Sequence, residues 1–308
     1  MVEHHTVLAR QAVDALIGDS SGFYIDGTFG RGGHARLILE RLSEKGRLLV
    51  IDKDPEAIAV ARRDFIDDKR IIIQQGSFAE IASYANALGK VGGVQGVLLD
   101  LGVSSPQLDD AGRGFSFLKD GPLDMRMNPE QGLSARQWLA AAGEEEIANV
   151  IYKYGEERFS RRMARAIVRY RAEHEIRSTL QLAEIITDAN PAWEKHKHPA
   201  TRVFQAIRIH INNELGDLET ALDQVLEVLA INGRMVIISF HSLEDRIVKR
   251  FIQAKVKGDD YPVSVPVMHA QLKPRLKSRG KALKVEAEEI ARNSRARSAV
   301  MRVAEKIA

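Results

Sequence analysis

The chain of 308 residues contains no cysteine. Disulfides, thiolate metal sites, iron–sulfur clusters and cysteine nucleophiles are therefore excluded. No apolar run approaches the ~20 residues of a membrane-spanning helix. The N-terminus lacks a charged region followed by an apolar one, so no secretory signal is expected. Internal repeats and low-complexity tracts are also missing. These absences leave a soluble cytoplasmic protein as the default. Hydrophobic residues, at 44%, suffice for a sizeable core, and the length suggests about two domains.

One glycine pattern is missing and another stands in its place. Phe23 to Ile25 reads as a short buried strand that breaks at Asp26-Gly27, and from His34 the pattern turns helical with Leu37, Ile38 and Leu42 on one side. Between them the order is Gly-x-x-Gly-x-Gly-Gly (Gly27, Gly30, Gly32, Gly33), not the dinucleotide fingerprint. A strand, a glycine-rich turn and a helix N-terminus still make a site for a nucleotide-like cofactor. The next strand, Arg47 to Asp52, ends in an acid 20 residues after Gly32. A carboxylate there can take both hydroxyls of an adenosine ribose. Asp54, just before Pro55, suits the cap of the following helix, which leaves Asp52 to face a ligand.

Taken in order, His4-His5 has no companion ligands and reads as incidental rather than a metal site; no metal is expected. A helix follows from Val7 to Ile17, ended by Gly18. Arg70 to Gln75 is a third strand, and Phe78 beyond it either lies against an adenine or staples the next helix. Val94 to Leu99 is a fourth strand, ending in Asp100. Alternating strands and helices predict a Rossmann-like α/β fold, a doubly wound and mostly parallel sheet with ligands at the strands' carboxyl ends. A long irregular stretch follows through Met127, rich in Gly, Ser and Pro, whose length points to function. From about Ser134 to Asn190 the chain is helical, and Ser178-Thr179-Leu180-Gln181 is a capping-box start. Residues 108–200 therefore read as an inserted helical domain; 1–107 and 201–308 form the sheet domain. Thr201 to Asn213 is read as a helix of the latter. Asn232-Gly233 marks a turn into the strand Arg234 to Phe240. His241 follows at the functional rim, as a catalytic group or a cap. Ser298 to Ala304 reads as a last strand.

The net charge of +3 is mild, but its distribution is not. Arginines between Arg158 and Arg171 crowd one helix, where Arg161, Arg165 and Arg169 oppose an apolar stripe of Phe159, Met163, Ile167 and Tyr170. Further basic clusters run from Lys273 to Lys284 and from Arg292 to Arg302. Three clusters on one chain tilt the reading from a solvated face toward a polyanion partner.

Several motifs together carry a resemblance: Asp26 to His34, Asp100 to Asp109, Gly114-Phe115-Ser116-Phe117, Pro122-Leu123-Asp124-Met125-Arg126, Arg202 to Ala206 and Ser239 to Asp245. Nearly the whole chain resembles the bacterial 16S ribosomal RNA cytosine-N4 methyltransferases. The resemblance implies a class I methyltransferase sheet domain using S-adenosylmethionine, interrupted by a helical insert. It also implies a target cytidine in the decoding centre of the assembled small ribosomal subunit. Cofactor contacts carry over onto Gly32, Gly33, His34, Asp52, Phe78, Asp100 and Gln107. The amino-methyltransferase signature, an acid, Asn or Ser before Pro-Pro and an aromatic, is absent; Ser104-Ser105-Pro106-Gln107 stands in its place.

An exocyclic amine is a poor nucleophile because its lone pair is conjugated with the ring. Acceptors around its protons favour pyramidalisation; Asp100 and the backbone of Ser104, Ser105 and Pro106 are the candidates. The base must also be unstacked and held, with Arg113, Phe115 and Phe117 as candidate nucleic-acid contacts beside the arginine helix. A DNA amino-methyltransferase-like enzyme and a non-catalytic RNA-binding assembly factor are the alternatives. A nicotinamide-dependent dehydrogenase is disfavoured by the glycine order. A homodimer is left open.

Overall fold

The computed structural model describes residues 6–193, 198–259 and 272–308. They form two compact units, 1–102 with 215–308, and 103–214. His4 and His5 lie outside the described residues.

The sheet unit opens with α1 (Ala9–Leu16), β1 (Phe23–Asp26), α2 (Gly33–Arg41), β2 (Arg47–Asp52), α3 (Pro55–Asp64), β3 (Ile71–Gln75), α4 (Ile81–Ala87) and β4 (Val94–Asp100). The helical unit holds α5 (Ser105–Asp109), α6 (Ala135–Ala141), α7 (Glu144–Gly155), α8 (Ser160–Glu173), α9 (Thr179–Ala189) and α10 (Ala200–Asn212). The chain then returns through α11 (Glu214–Val228), β5 (Leu229–Ser239), α12 (Ser242–Lys257), β6 (Leu276–Ser278), β7 (Leu283–Lys284), α13 (Ala287–Arg292) and β8 (Val300–Lys306).

The strand order is β3-β2-β1-β4-β5-β8-β6, with β7 also on β8. The first five strands are mutually parallel, and β8 runs antiparallel to β5, β6 and β7. Continuous apolar strands are what a sheet covered on both faces demands. Tyr24, Leu48, Val50 and Leu98 point into one core with α1 and α2; Ile25, Leu49, Ile51 and Leu99 point into the other with α4 and α11. Each such side chain contributes roughly 1.5–3 kcal/mol by leaving water. The order reverses at β1, between β2 and β4, and opens a crevice at the carboxyl ends of β1 and β4.

In the helical unit, Trp138, Ile147, Ile151, Met163, Ile186 and Ile207 make a separate core. Capping boxes start three of its helices, on Ser104 with Gln107, Ser134 with Gln137 and Ser178 with Gln181. Its irregular stretch is held from inside. Asp124 forks onto Arg126 at 2.7 and 2.9 Å, and the buried Asn212 amide donates to Met125 O and accepts from Met127 N.

Three expectations shift. The first helix starts at Ala9 because Leu8 adopts a left-handed backbone (φ 50°), not at Val7. α10 packs on α7 and α9 and belongs to the helical unit, since its Phe204 and Ile207 complete that core. Asn232-Gly233 is an irregularity inside β5, which already pairs with β4 at Leu229.

Candidate active site

The glycine loop lies at the crevice, pinned to the strands on either side of β1. Gly27 N donates to Leu98 O (2.9 Å) on β4 and Phe29 N to Ile51 O (3.0 Å) on β2. Gly30 N donates to Asp52 Oδ2 at 2.7 Å, while Asp54 N donates to Asp52 Oδ1 at 2.9 Å. Asp54 caps α3 by accepting from Glu56 N at 2.9 Å, as the sequence predicts. Gly32, at φ 76°, ends the loop in a conformation that a side chain would strain. No side chain caps α2, which leaves its first N–H groups available to an anion.

Opposite them stand acids. Asp26 is fully buried; Oδ1 accepts from Thr28 N at 3.1 Å and Oδ2 has no hydrogen-bond partner. Burial, with Asp52 adding to it against the Thr28 bond, pushes Asp26 up to about 7. Burial likewise lifts Asp52 to about 6, against hydrogen bonds from Asp54 and Gly30. Asp100 rises well above the carboxylate range through burial, then through Asp26 and Glu244. Its edge stays open, its side chain 22% exposed. Its N–H donates to Thr28 Oγ1 at 2.6 Å, and Oδ1 is unpartnered. His34 Nδ1 lies 3.7 Å from Asp100 Oδ2, and burial lowers this imidazole to about 4, leaving it neutral. Backbone N–H donors at an uncapped helix start, with the Asp52 and Asp100 carboxyls at neighbouring strand ends, suit a ligand that carries both an anionic and a cationic group.

The structure thus brings Gly32, Gly33, His34, Asp52 and Asp100 to one rim, with Phe78 half-buried where β3 ends. Gln107 is in the helical unit, where its Oε1 accepts from Ser104 N (2.8 Å) and Ser104 Oγ (3.1 Å) within the Ser104–Pro106 turn. His241 takes the capping place that the sequence offered as one of two: Nδ1 accepts from Glu244 N at 3.4 Å, and Nε2 lies 3.1 Å from Glu244 Oε1. Arg113 and Phe115 are corrected. The Arg113 guanidinium holds the carbonyls of Arg126 and Met127, and Phe115 is buried in the helical core. Phe117 is half-buried against Phe204 and His198. Arg161, Arg165 and Arg169 are exposed, Arg165 beside Glu144 at 3.4 Å.

Asp26, Thr28, Asp217 and Thr6 escape the sequence reading. Asp26 has a visible signal, an acid closing a fully buried strand. Asp217 of α11 accepts from Ser77 Oγ (2.7 Å) and pairs with Lys53, tying together the ends of β2 and β3. Thr6 lies against Gly33 so closely that a Cβ there would collide with its Oγ1. Neither Asp217 nor Thr6 is near its partner in sequence.

Five parallel strands in the order 3-2-1-4-5, an antiparallel strand beyond them, and a glycine loop at the switch point define a class I methyltransferase. The chain belongs to the MraW methylase family, which matches residues 1–307. It is 55% identical over 307 residues to the ribosomal RNA small subunit methyltransferase H of Marinomonas sp. (strain MWYL1), covering 100% of this chain and 98% of that protein. Among solved structures it is similar to an rRNA methylase from Streptococcus thermophilus (TM-score 0.44, 9% identity, 96% and 92% of the two chains). It is also similar to a Streptococcus mutans protein solved with SAH (TM-score 0.42, 11% identity, 96% and 93%).

Proposed function

We propose that this methylase transfers the methyl group of S-adenosylmethionine to the exocyclic N4 of a cytidine in the decoding centre of small-subunit ribosomal RNA. The observation that carries the cofactor reading is the meeting at one set of strand ends of the uncapped α2 N-terminus, Asp52 bound to Gly30 N, and the partly open Asp100 beside His34. The relative named as a small-subunit rRNA methyltransferase supports the substrate, and the motifs shared with cytosine-N4 enzymes support the atom. A cytoplasmic location follows from such a substrate. Among the described residues no helix is long and apolar enough to cross a membrane.

The residues fit that cofactor. The N–H groups at Gly33 and His34 would take its carboxylate, Asp52 its ribose hydroxyls, Phe78 its adenine, and Asp100 its ammonium group; Gln107 joins this set by resemblance. When bound, the group supplies a methyl carbon on a sulfonium, which needs alignment more than activation. Asp52 keeps lone pairs beyond its bonds to Gly30 and Asp54, so it can orient the ribose while shaping the loop. Thr28 fixes Asp100 through its backbone N–H, and the open edge of the Asp100 carboxyl would accept from the target amine and draw its lone pair out of conjugation. The Ser104 and Pro106 carbonyls are taken up in α5, accepting from Leu108 N (3.3 Å) and Asp110 N (2.9 Å), so Asp100 is the acceptor proposed for the target amine. Neutral His34 adds no positive charge that would compete. The exposed Arg161, Arg165 and Arg169 are proposed phosphate contacts.

Mass spectrometry of small-subunit RNA nucleosides, with and without the gene, tests the reading; loss of an N4-methylated cytidine is expected. Substrate carrying 5-fluorocytidine should not trap the protein, because no thiolate adds to the ring. A denaturation-stable adduct or a carbon-5 methyl would refute direct transfer.

A further inference from the structure

The sheet unit has a second concavity that none of the cofactor residues lines. It is a groove of about 300 Å³ between α12 and the edge strands. Lys249 and Lys257 of α12 and Lys281 of the β6–β7 turn stand along it, over a floor of Ile252, Val256 and Val303. None of the lining residues is acidic or aromatic. We infer that this groove seats the sugar–phosphate backbone of the substrate RNA next to the target nucleotide. The inference rests on the rRNA reading above and adds to it a surface and a mode of contact.

The charges here divide in a telling way. The arginines around the groove are committed: Arg302 forks onto Asp245 at 2.6 and 3.0 Å, and Arg279 pairs with Glu305. Lys249 and Lys281 are exposed and make no ion pair among the described residues. Exposed Lys277 and Lys284 extend the same charge along the strands. Lysine is a flexible point charge suited to phosphate, and a lining without aromatic rings suits contact with backbone rather than with bases.

Register ties the groove to the reaction rim. Asp100 lies opposite Ile238, Ile238 opposite Met301, and Met301 opposite Leu283. Leu283, between Lys281 and Lys284, therefore stands in the same cross-strand row as Asp100. Three strand spacings of ~4.8 Å separate them by roughly 14 Å. α12 starts directly after β5 and places Lys249 ~10 Å below its first turn. A strand whose base enters at Asp100 meets these lysines within a few nucleotides.

Lysines on an edge strand also discourage sheet-to-sheet aggregation. That role accounts for Lys277 and Lys284. It needs neither a groove nor Lys249, which belongs to a helix and converges on the same concavity.

The test is binding and methylation of purified small ribosomal subunits across a salt series, comparing wild type, the Lys249→Gln/Lys281→Gln double variant and Lys69→Gln, an exposed lysine on the far edge. The double variant should flatten the slope of log affinity against log salt by about 1.4 to 1.8, from two lost phosphate contacts. Its KM for subunits should rise while its S-adenosylmethionine affinity stays at the wild-type value. Lys249→Arg/Lys281→Arg should restore the slope, and Lys69→Gln should leave it unchanged. A double variant with the wild-type slope and KM, measured beside an active wild type, overturns the groove alone. A wild type that neither binds nor methylates subunits overturns the rRNA reading and the groove with it.

Discussion

The two units treat their acids in opposite ways. In the sheet unit, Asp26, Asp52 and Asp100 stand at strand ends where burial raises all three. In the helical unit, Glu175 is held below its ordinary range by Arg177 and Arg136, and Asp120 by Ser178 and the Leu180 N–H. Asp124 is pushed up by burial but brought lower overall by Arg126. The buried side-chain atoms that make no hydrogen bond among the described residues, on Asp26, His34, Asp100 and His241, whose Nε2 meets only the Glu244 carboxylate, all belong to the sheet unit. One unit keeps polar groups waiting for a ligand, whereas the other has satisfied its own. Unmet electrostatic demand is therefore the better guide to chemistry here than richness in charge.

Breaking the demand at its centre should have the largest effect. Asp100→Asn is expected to lower kcat by about 10²–10⁴ while the Tm holds or rises, since an acid buried beside Asp26 and Glu244 is gone. A collapsed Tm would instead make Asp100 structural. Asp52→Ala should weaken S-adenosylmethionine binding by about 1.5–3 kcal/mol in a calorimetric titration; unchanged affinity would remove the ribose role.

Asp26 sharpens the contrast through pH. Between about pH 4 and 7 the folded Asp26 is protonated and the unfolded one is not, so the folded state binds more protons and stability falls as pH rises. The slope is at most ~1.4 kcal/mol per pH unit. Asp26→Asn should make the curve of denaturation midpoint against pH less steep in that window, leaving the share of Asp52 and Asp100. A wild-type slope in the variant would assign the titration to another group.

Asp124 should behave in the opposite sense. Its lowered pKa contributes stability that is present above the unfolded value and lost as pH falls through the folded one. Asp124→Ala should cost about 1–3 kcal/mol by urea unfolding and leave cofactor affinity alone. A cofactor defect would mean that the units are not independent in this respect. The smallest effect belongs to the arginine face. Arg161, Arg165 and Arg169 changed to Gln should alter Tm hardly at all, because an exposed pair such as Arg165–Glu144 contributes under about 1 kcal/mol. The salt dependence of RNA association should flatten, and an unaltered slope would leave this face merely solvated.

Local chemistry was legible and long-range closure was not. β2 runs from Arg47 to Asp52 as the apolar run predicts, and Ser178, Asp54 and the loop glycines declare their caps and turns within a few residues. The acid after a buried strand marked Asp52 and Asp100 for the same reason. Arg113 and Phe115 misled because an arginine or an aromatic in a polar, glycine-rich loop looks exposed. Only the fold shows the carbonyls and the core that receive them. α10 was assigned to the wrong unit because an amphipathic stripe does not say which core it faces. Asp217 gave no signal because its partners, Lys53 and Ser77, precede it by well over a hundred residues.

The back of the glycine loop shows how late such closure comes. Thr6 packs behind Gly33, and Leu8 N donates to Glu289 Oε1 at 2.8 Å, a bond spanning 281 positions of the chain. During synthesis the loop, its first strand and its helix all emerge early, but the acceptor that holds Leu8 emerges with α13, near the end. The segment behind the loop is thus fastened by a residue made 281 positions later. A chain stopped before Glu289 would carry every glycine of the loop and still lack this fastening of Leu8, so cofactor affinity is expected to depend on that distant acceptor.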